Sequence, residues 1–353
     1  MTAHLERRTH DSELRSVSVV VPAYNESTII ASTLAQLGTY LAGLRDRFRW
    51  EIVVVDDGSK DNTGKIAQEF ADANPQWPIR VLRHRSNFNL GQALRFAFND
   101  VRTDFLVTVD CDLSYSVDHI VRLLDALEST GAKVVLASPY AEGGDVANVP
   151  GLRRWLSKWA NRYLAVGVKG ELSTLTGMVR AYDVRFLQQL DLSSMDVGIN
   201  TEIIYKARIL NAKISEIPAR LAWITGEDEK RVSKFNIFGS VKTYVLSGYL
   251  FRPLLTFAIP GFLFLALSVV AILLILKQWL TNDISLGQSF GESPATAIIA
   301  AVAFAISLQF FGIGLLAWQS KRNFENLFHL GSTNLRAMRD VQRRLDGAGR
   351  SEP

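Results

Sequence analysis

Among 353 residues there is one cysteine, Cys111. An internal disulfide is therefore excluded, and the chain suits a reducing compartment. No G-x-G-x-x-G follows the first apolar run, so a dinucleotide-dependent oxidoreductase loses its main support. No G-x-x-x-x-G-K-[ST] occurs either, which removes a P-loop ATPase. Internal repeats and low-complexity linkers are missing too. The opening residues, MTAHLERRTHDSE, are polar, so no signal peptide is expected there. The net charge of +4 is small. Its placement matters more than its size, and no nucleic-acid partner is expected.

Charge itself is missing from two long stretches. Charged residues make up 21% of the chain, yet residues 254–276 and 295–318 hold none. Each run exceeds the ~20 residues that cross a bilayer as a helix; the alternative is a helix buried in a soluble core. Lys230, Arg231, Lys234, Lys242 and Arg252 precede the first run, and Lys321, Arg322, Arg336 and Arg339 follow the second. The connecting loop, 277–293, offers Lys277 against Asp283 and Glu292. The positive-inside rule then places both termini in the cytoplasm of a multi-pass protein of the cell (inner) membrane. Trp279 and Trp318 stand at span ends, where aromatic belts form.

What the rest contains is alternation. SVSVVVPAYNE (16–26), WEIVVVDDGS (50–59), IRVLRH (79–84), DFLVTVD (104–110) and KVVLAS (133–138) read as strands. Between them, 27–44, 60–72, 90–101 and 117–129 have helical spacing, the first through Ile29, Ile30, Leu34, Leu37 and Leu41. Alternating strands and helices predict an α/β domain, a mainly parallel sheet with helices on both faces. Ligands gather at the C-terminal strand ends of such sheets. Pro22 to Glu26, Asp56 to Ser59 and Asp110 to Ser114 all fall at such ends. Asp110 and Asp112 are either a wet polar turn or a divalent-cation site, since close carboxylates repel and hard cations prefer their oxygens.

VVVPAYNE, VVVDDGSKDNT and VDCDLS, in that order, resemble a family-two glycosyltransferase of the GT-A (nucleotide-diphospho-sugar transferase) fold, Rossmann-like. With the two C-terminal runs, the chain is similar to polyprenyl-phosphate glycosyltransferases over roughly residues 16–320. The resemblance implies that Pro22, Tyr24 and Glu26 line a nucleotide pocket and that Asp57 bonds the base. It implies that Asp110 and Asp112, with Ser114, hold Mg²⁺ or Mn²⁺ against the donor diphosphate. It also implies an inverting transfer of a hexose such as glucose or mannose. The donor would be a UDP- or GDP-sugar and the acceptor polyprenyl (undecaprenyl or dolichyl) phosphate.

The departures are specific. Ser114 stands where relatives carry Gln, and Pro139 where they carry an arginine that helps bind phosphate; STLTGMVRAY only echoes their D-x-x-S-G-F-R segment. RVSKF keeps a Ser233–Lys234 pair that relatives carry near the membrane. Arg153, Arg154 and Lys158, then Arg180 and Lys234, are the candidates for the acceptor phosphate. Glu202 is expected to be structural or orienting.

The expected organisation is a polar tail (1–15), a catalytic domain (16–230), an interfacial region (231–252), two spans (253–320) and a basic cytoplasmic tail (321–353) that frays beyond 332. Residues 151–165 place Leu152, Trp155, Leu156, Trp159 and Tyr163 on one helical face, as an interfacial helix or as a surface helix packed on the sheet. Residues 235–250 repeat that pattern. A homo-oligomer through the spans is a further expectation. The rival readings are a processive polysaccharide synthase, for which the chain lacks Q-x-x-R-W, and a non-catalytic scaffold or flippase subunit.

Overall fold

The computed structural model describes residues 14–147, 172–222, 252–281 and 293–348. The chain divides into two compact units, 1–243 and 244–353.

The first unit is built on a seven-stranded sheet. Its strands are β1 (Arg15–Ala23), β2 (Phe48–Asp56), β3 (Ile79–Arg83), β4 (Phe105–Thr108), β5 (Val134–Ser138), β7 (Arg180–Asp183) and β8 (Ile214–Pro218), in the order β3-β2-β1-β4-β7-β5-β8. A separate parallel pair joins β6 (Asp145–Ala147) to β9 (Arg220–Ala222). The helices are α1 (Ile30–Ala42), α2 (Thr63–Ala73), α3 (Leu90–Asp100), α4 (His119–Thr130), the single turn α5 (Val184–Leu187) and α6 (Ile199–Ile209). The five expected strands and four expected helices are present, with ends shifted by a few residues.

Alternation along the strands sorts the two faces. Val17, Val19 and Val21 of β1 join one core with Ile30, Leu34 and Leu37 of α1 and Ile120, Leu123 and Leu124 of α4. On the other face α3 buries Ala93, Leu94, Ala97 and Phe98, and the Phe98 ring lies 5.7 Å from that of Tyr182. The departure from a simple alternating sheet is β7. It runs antiparallel to both neighbours, with Thr108 opposite Arg180 and Arg180 opposite Leu136.

The second unit holds α7 (Pro253–Thr281) and α8 (Pro294–Ala348). They pack on each other: Phe264 stacks on Phe310 at 5.8 Å, and the Ser268 hydroxyl donates to the Ala300 carbonyl at 2.9 Å. Both are long and apolar enough to cross a membrane, and only 22% of each most apolar window is buried. A soluble core helix would be mostly buried, so membrane association is the consistent reading. The expected frayed tail is corrected in part: α8 continues without a break to Ala348. Residues 319–348 contain no proline and many strong helix formers, so nothing stops the helix where the apolar run ends. The proposed interfacial helices, 151–165 and 235–250, lie outside the described residues, and with them Arg153, Arg154, Lys158, Ser233 and Lys234.

Candidate active site

The chain leaves β1 for β2 and β3 on one side, then returns to lay β4 on the other. Beyond the carboxyl ends of β1 and β4 the sheet therefore has a switch point, the crevice in which open α/β sheets bind ligands.

The loop after β1 is tied to the loop after β2 by five hydrogen bonds. The amides of Asp57, Asn25, Glu26 and Ser27 donate to the Ala23 carbonyl (2.9 Å), the Ser59 hydroxyl (3.0 Å), the Thr63 hydroxyl (2.7 Å) and Asp61 Oδ2 (3.2 Å). The amide of Lys60 returns a bond to Asn25 Oδ1 at 2.8 Å. Asn25 sits at φ +58°, a left-handed conformation that asparagine tolerates better than most residues. Burial works to raise the Asp61 carboxyl, but donors from Thr63 and Ser27 outweigh it and bring it down to about 2. Asp61 is thus a clip that stays charged at neutral pH. Gly58 cannot be replaced: φ is +67°, and a Cβ there would lie 2.2 Å from the Ser86 carbonyl carbon. Of the expected nucleotide-pocket side chains, Pro22 is half-buried at the end of β1 and Tyr24 is exposed.

Asp57 is buried. Its Oδ1 faces His84 Nδ1 at 2.7 Å and accepts the Phe88 amide at 3.1 Å. The His84 ring stacks on Phe96 at 4.9 Å and meets Phe88 edge-on at 5.3 Å. None of these partners was singled out from sequence. The residues are 27 and more positions from Asp57, and the available signal was a histidine at the exit of β3 followed by two phenylalanines.

Beyond β4 the chain turns sharply, with Leu113 at φ +50° and its amide bonded to the Asp110 carbonyl at 3.1 Å. The Ser114 amide donates to Asp112 Oδ1 at 2.9 Å, and its hydroxyl to Asp110 Oδ2 at 3.2 Å. Between the two aspartates Cys111 points inward. Its carbonyl accepts the buried Thr33 hydroxyl of α1 at 2.6 Å, and burial, with nearby carboxylates, pushes its thiol up to about 12. That thiol is inert; it anchors the loop. Thr33 was also missed, because its hydroxyl acts through a backbone carbonyl 78 residues away.

Asp110 is half-buried and Asp112 exposed. Burial and then the Asp112 charge raise the Asp110 carboxyl to about 6, with the Ser114 hydroxyl opposing. Among the described residues no group of three or more His, Cys, Asp or Glu could hold a metal. Two carboxylates with unrelieved repulsion do fit a Mg²⁺-type site, which takes one or two carboxylates and completes its shell with water and substrate phosphate.

Arg180 is corrected. It is fully buried, and Nε, Nη1 and Nη2 donate to the carbonyls of Gly177, Asn200 and Leu175, each at 2.7 Å. A guanidinium committed to backbone beneath the surface cannot reach an acceptor phosphate. Glu202 has the structural role expected of it. It pairs with Lys206 at 2.8 Å and accepts both backbone amides of Ser193 and Ser194. Burial works to raise its carboxyl, and these donors bring it below the usual range. At the exit of β5, where Pro139 replaces the expected arginine, Ser138 meets the Ser173 hydroxyl at 2.5 Å, and the Ser173 amide donates to Glu216 at 2.8 Å.

Residues 18–191 match the family model for glycosyl transferase family 2. The chain is 32% identical to a polyprenol monophosphomannose synthase of Mycolicibacterium smegmatis, over 62% of this chain and 80% of that protein. It is 29% identical to a dolichol-phosphate mannosyltransferase of Pyrococcus furiosus, over 57% of this chain and 55% of that protein. A dolichyl-phosphate beta-glucosyltransferase of Trichomonas vaginalis is 35% identical over 45% of this chain and 49% of its own length. The chain thus spans about half of the latter two relatives.

Proposed function

The chain belongs to glycosyl transferase family 2 and is a glycosyltransferase, and from that premise we propose that it moves a hexose from a nucleotide sugar to the phosphate of a polyprenyl lipid. The observation that carries this reading is the pairing, in one chain, of an acidic loop at the sheet's switch point with two helices whose charge-free runs are exposed enough to meet lipid. The relatives named for polyprenol and dolichol phosphates support the same acceptor class.

In this reading Asp110 and Asp112, with the Ser114 hydroxyl beside them, hold Mg²⁺ or Mn²⁺, which when bound neutralises charge on the leaving diphosphate. The tied loops after β1 and β2 present Tyr24, Glu26 and Asp57 to the nucleotide without needing to reorganise. The acceptor needs orientation more than deprotonation. A phosphate monoester has its second pKa near ~6 and is largely the dianion at neutral pH. Glu202, locked by Lys206 and two amides, is accordingly not the base. Arg153, Arg154, Lys158 and Lys234 remain the proposed cations for that phosphate. Detergent-solubilised protein given labelled UDP- or GDP-hexose, either metal and polyprenyl phosphate should yield a lipid-extractable, acid-labile product. A labelled polymer instead would favour a processive synthase, and no transfer under any donor would favour a scaffold.

The membrane orientation is also a proposal, supported by the clustering of Lys and Arg outside the 277–293 loop. Cysteines introduced at Ser289 and Ser351 should react from opposite sides of sealed vesicles, Ser351 from the cytoplasmic side. The native Cys111 stays silent because it is buried and held protonated. Same-side labelling would mean that one helix does not span.

A further inference from the structure

At the carboxyl ends of β2 and β3 lies a cavity of about 300 Å³ lined by Gly58, Ser59, Arg83, His84 and Arg85. Asp57 precedes one lining residue, Gly58, in the chain and is bonded to another, His84. Resting on the reading that the donor is a nucleotide sugar, we infer that the base bound here is uracil and not guanine.

The argument is a count of acceptors and donors. His84 Nδ1 faces a carboxylate oxygen at 2.7 Å, so the hydrogen-bond network assigns the proton to that nitrogen. With the Phe88 amide at 3.1 Å, Asp57 Oδ1 accepts two donors from the protein itself. Oδ2 accepts no hydrogen bond from any described residue. One carboxylate oxygen is thus left for a ligand. Guanine presents N1–H and N2–H side by side, and a carboxylate meets that edge with both oxygens. Uracil presents a single N3–H between two carbonyl acceptors, which matches one open oxygen.

The cavity's lining answers the remaining half of the uracil edge. Its side chains are two arginines, a histidine and a serine, with no carboxylate or carboxamide among them. Arg85 has no hydrogen-bond or ion-pair partner among the described residues, and Arg83, whose Nε stands 3.0 Å from Asp56, has no partner there for its other nitrogens. A donor-rich wall suits a base edge that carries two acceptors and one donor. The occupancy of Oδ1 is held in place, because the imidazole is 10% exposed and stacked on Phe96 with an interplanar angle of 21°.

The test is equilibrium binding of UDP and of GDP to the full-length protein in detergent, each with Mg²⁺ or Mn²⁺. UDP should bind at least about tenfold more tightly, since guanine would leave one of its two edge donors unpaired. His84→Ala, which releases one claim on Oδ1, should narrow that ratio, and His84→Asn, whose amide nitrogen can replace Nδ1, should preserve it. Equal or tighter GDP binding by the folded wild-type protein would overturn the inference and leave the donor reading standing. Binding of neither nucleotide by protein with an intact circular dichroism spectrum would overturn both. An unchanged ratio in His84→Ala would remove the role given to His84; should that variant not fold, the wild-type ratio decides alone.

Discussion

Asp112→Asn is expected to lower transfer by ~100-fold or more, at ordinary metal concentration, while leaving the fold intact. The side chain is exposed, and among the described residues its one hydrogen bond is acceptance of the Ser114 amide at 2.9 Å. A carboxamide oxygen can accept that same bond, so the turn survives. Melting should move by no more than the usual surface-substitution effect of about 0.5 kcal/mol. What disappears is a negative charge on which a hard cation depends. The same variant carries a pH signature. In the wild type, burial and the Asp112 charge raise Asp110 to about 6, so protons and metal compete there. Metal affinity should fall as pH drops through about 6, by roughly tenfold per unit below it for one displaced proton. Removing the Asp112 charge moves that midpoint downward, because one of the two raising influences is gone. Titrating metal-dependent nucleotide binding from neutral to acid pH measures both effects. Full activity in the variant, or a wild-type affinity flat across that range, would sink the metal assignment.

The acidic loop was legible in sequence because its determinants are local. Asp110, Asp112 and Ser114 lie within five residues, and the turn that groups them is made by the same five. The parallel strands were legible for a related reason: β1, β2, β4 and β5 are runs of Val, Ile and Leu whose period announces burial. Strand β7 was not. It is four residues, RAYD, with a charged residue at each end, and its place between β4 and β5 is set by pairing with segments 75 and 46 residues away. The Asp57–His84 pair escaped for the same reason of distance, whereas the uncharged runs of α7 and α8 could be read directly because a bilayer imposes its condition on composition alone. The far end of α8 departs from the fraying that its polar composition suggests, because a polar stretch with good helix formers and no proline can simply continue a helix already begun.

Arg180 shows how a charge in sequence invites a functional reading that its partners contradict, and it carries the second large effect. Its three hydrogen bonds end on the carbonyls of Leu175, Gly177 and Asn200, groups that every residue possesses and that leave no trace in the sequence. The guanidinium joins the 175–177 segment and the start of α6 to β7, directly beneath the strand ends that carry the site. Burial pulls its pKa down, and nearby Tyr182 and Tyr115 oppose that shift. Arg180→Ala would leave three carbonyls without their donor in a fully buried space and remove a large side chain. The expected cost is about 3–5 kcal/mol, enough to unfold or nearly unfold a marginal domain. Arg180→Lys should recover little, because an ammonium on a single stem cannot match a planar fork that reaches three carbonyls at once. The contact with an acceptor phosphate, had it existed, would give the opposite pattern: an unchanged melt, a raised KM for the lipid, and partial rescue by lysine. Chemical unfolding of both variants, with acceptor kinetics at a temperature where each remains folded, separates the two. A normal unfolding midpoint together with a selective loss of lipid affinity would return Arg180 to the acceptor site.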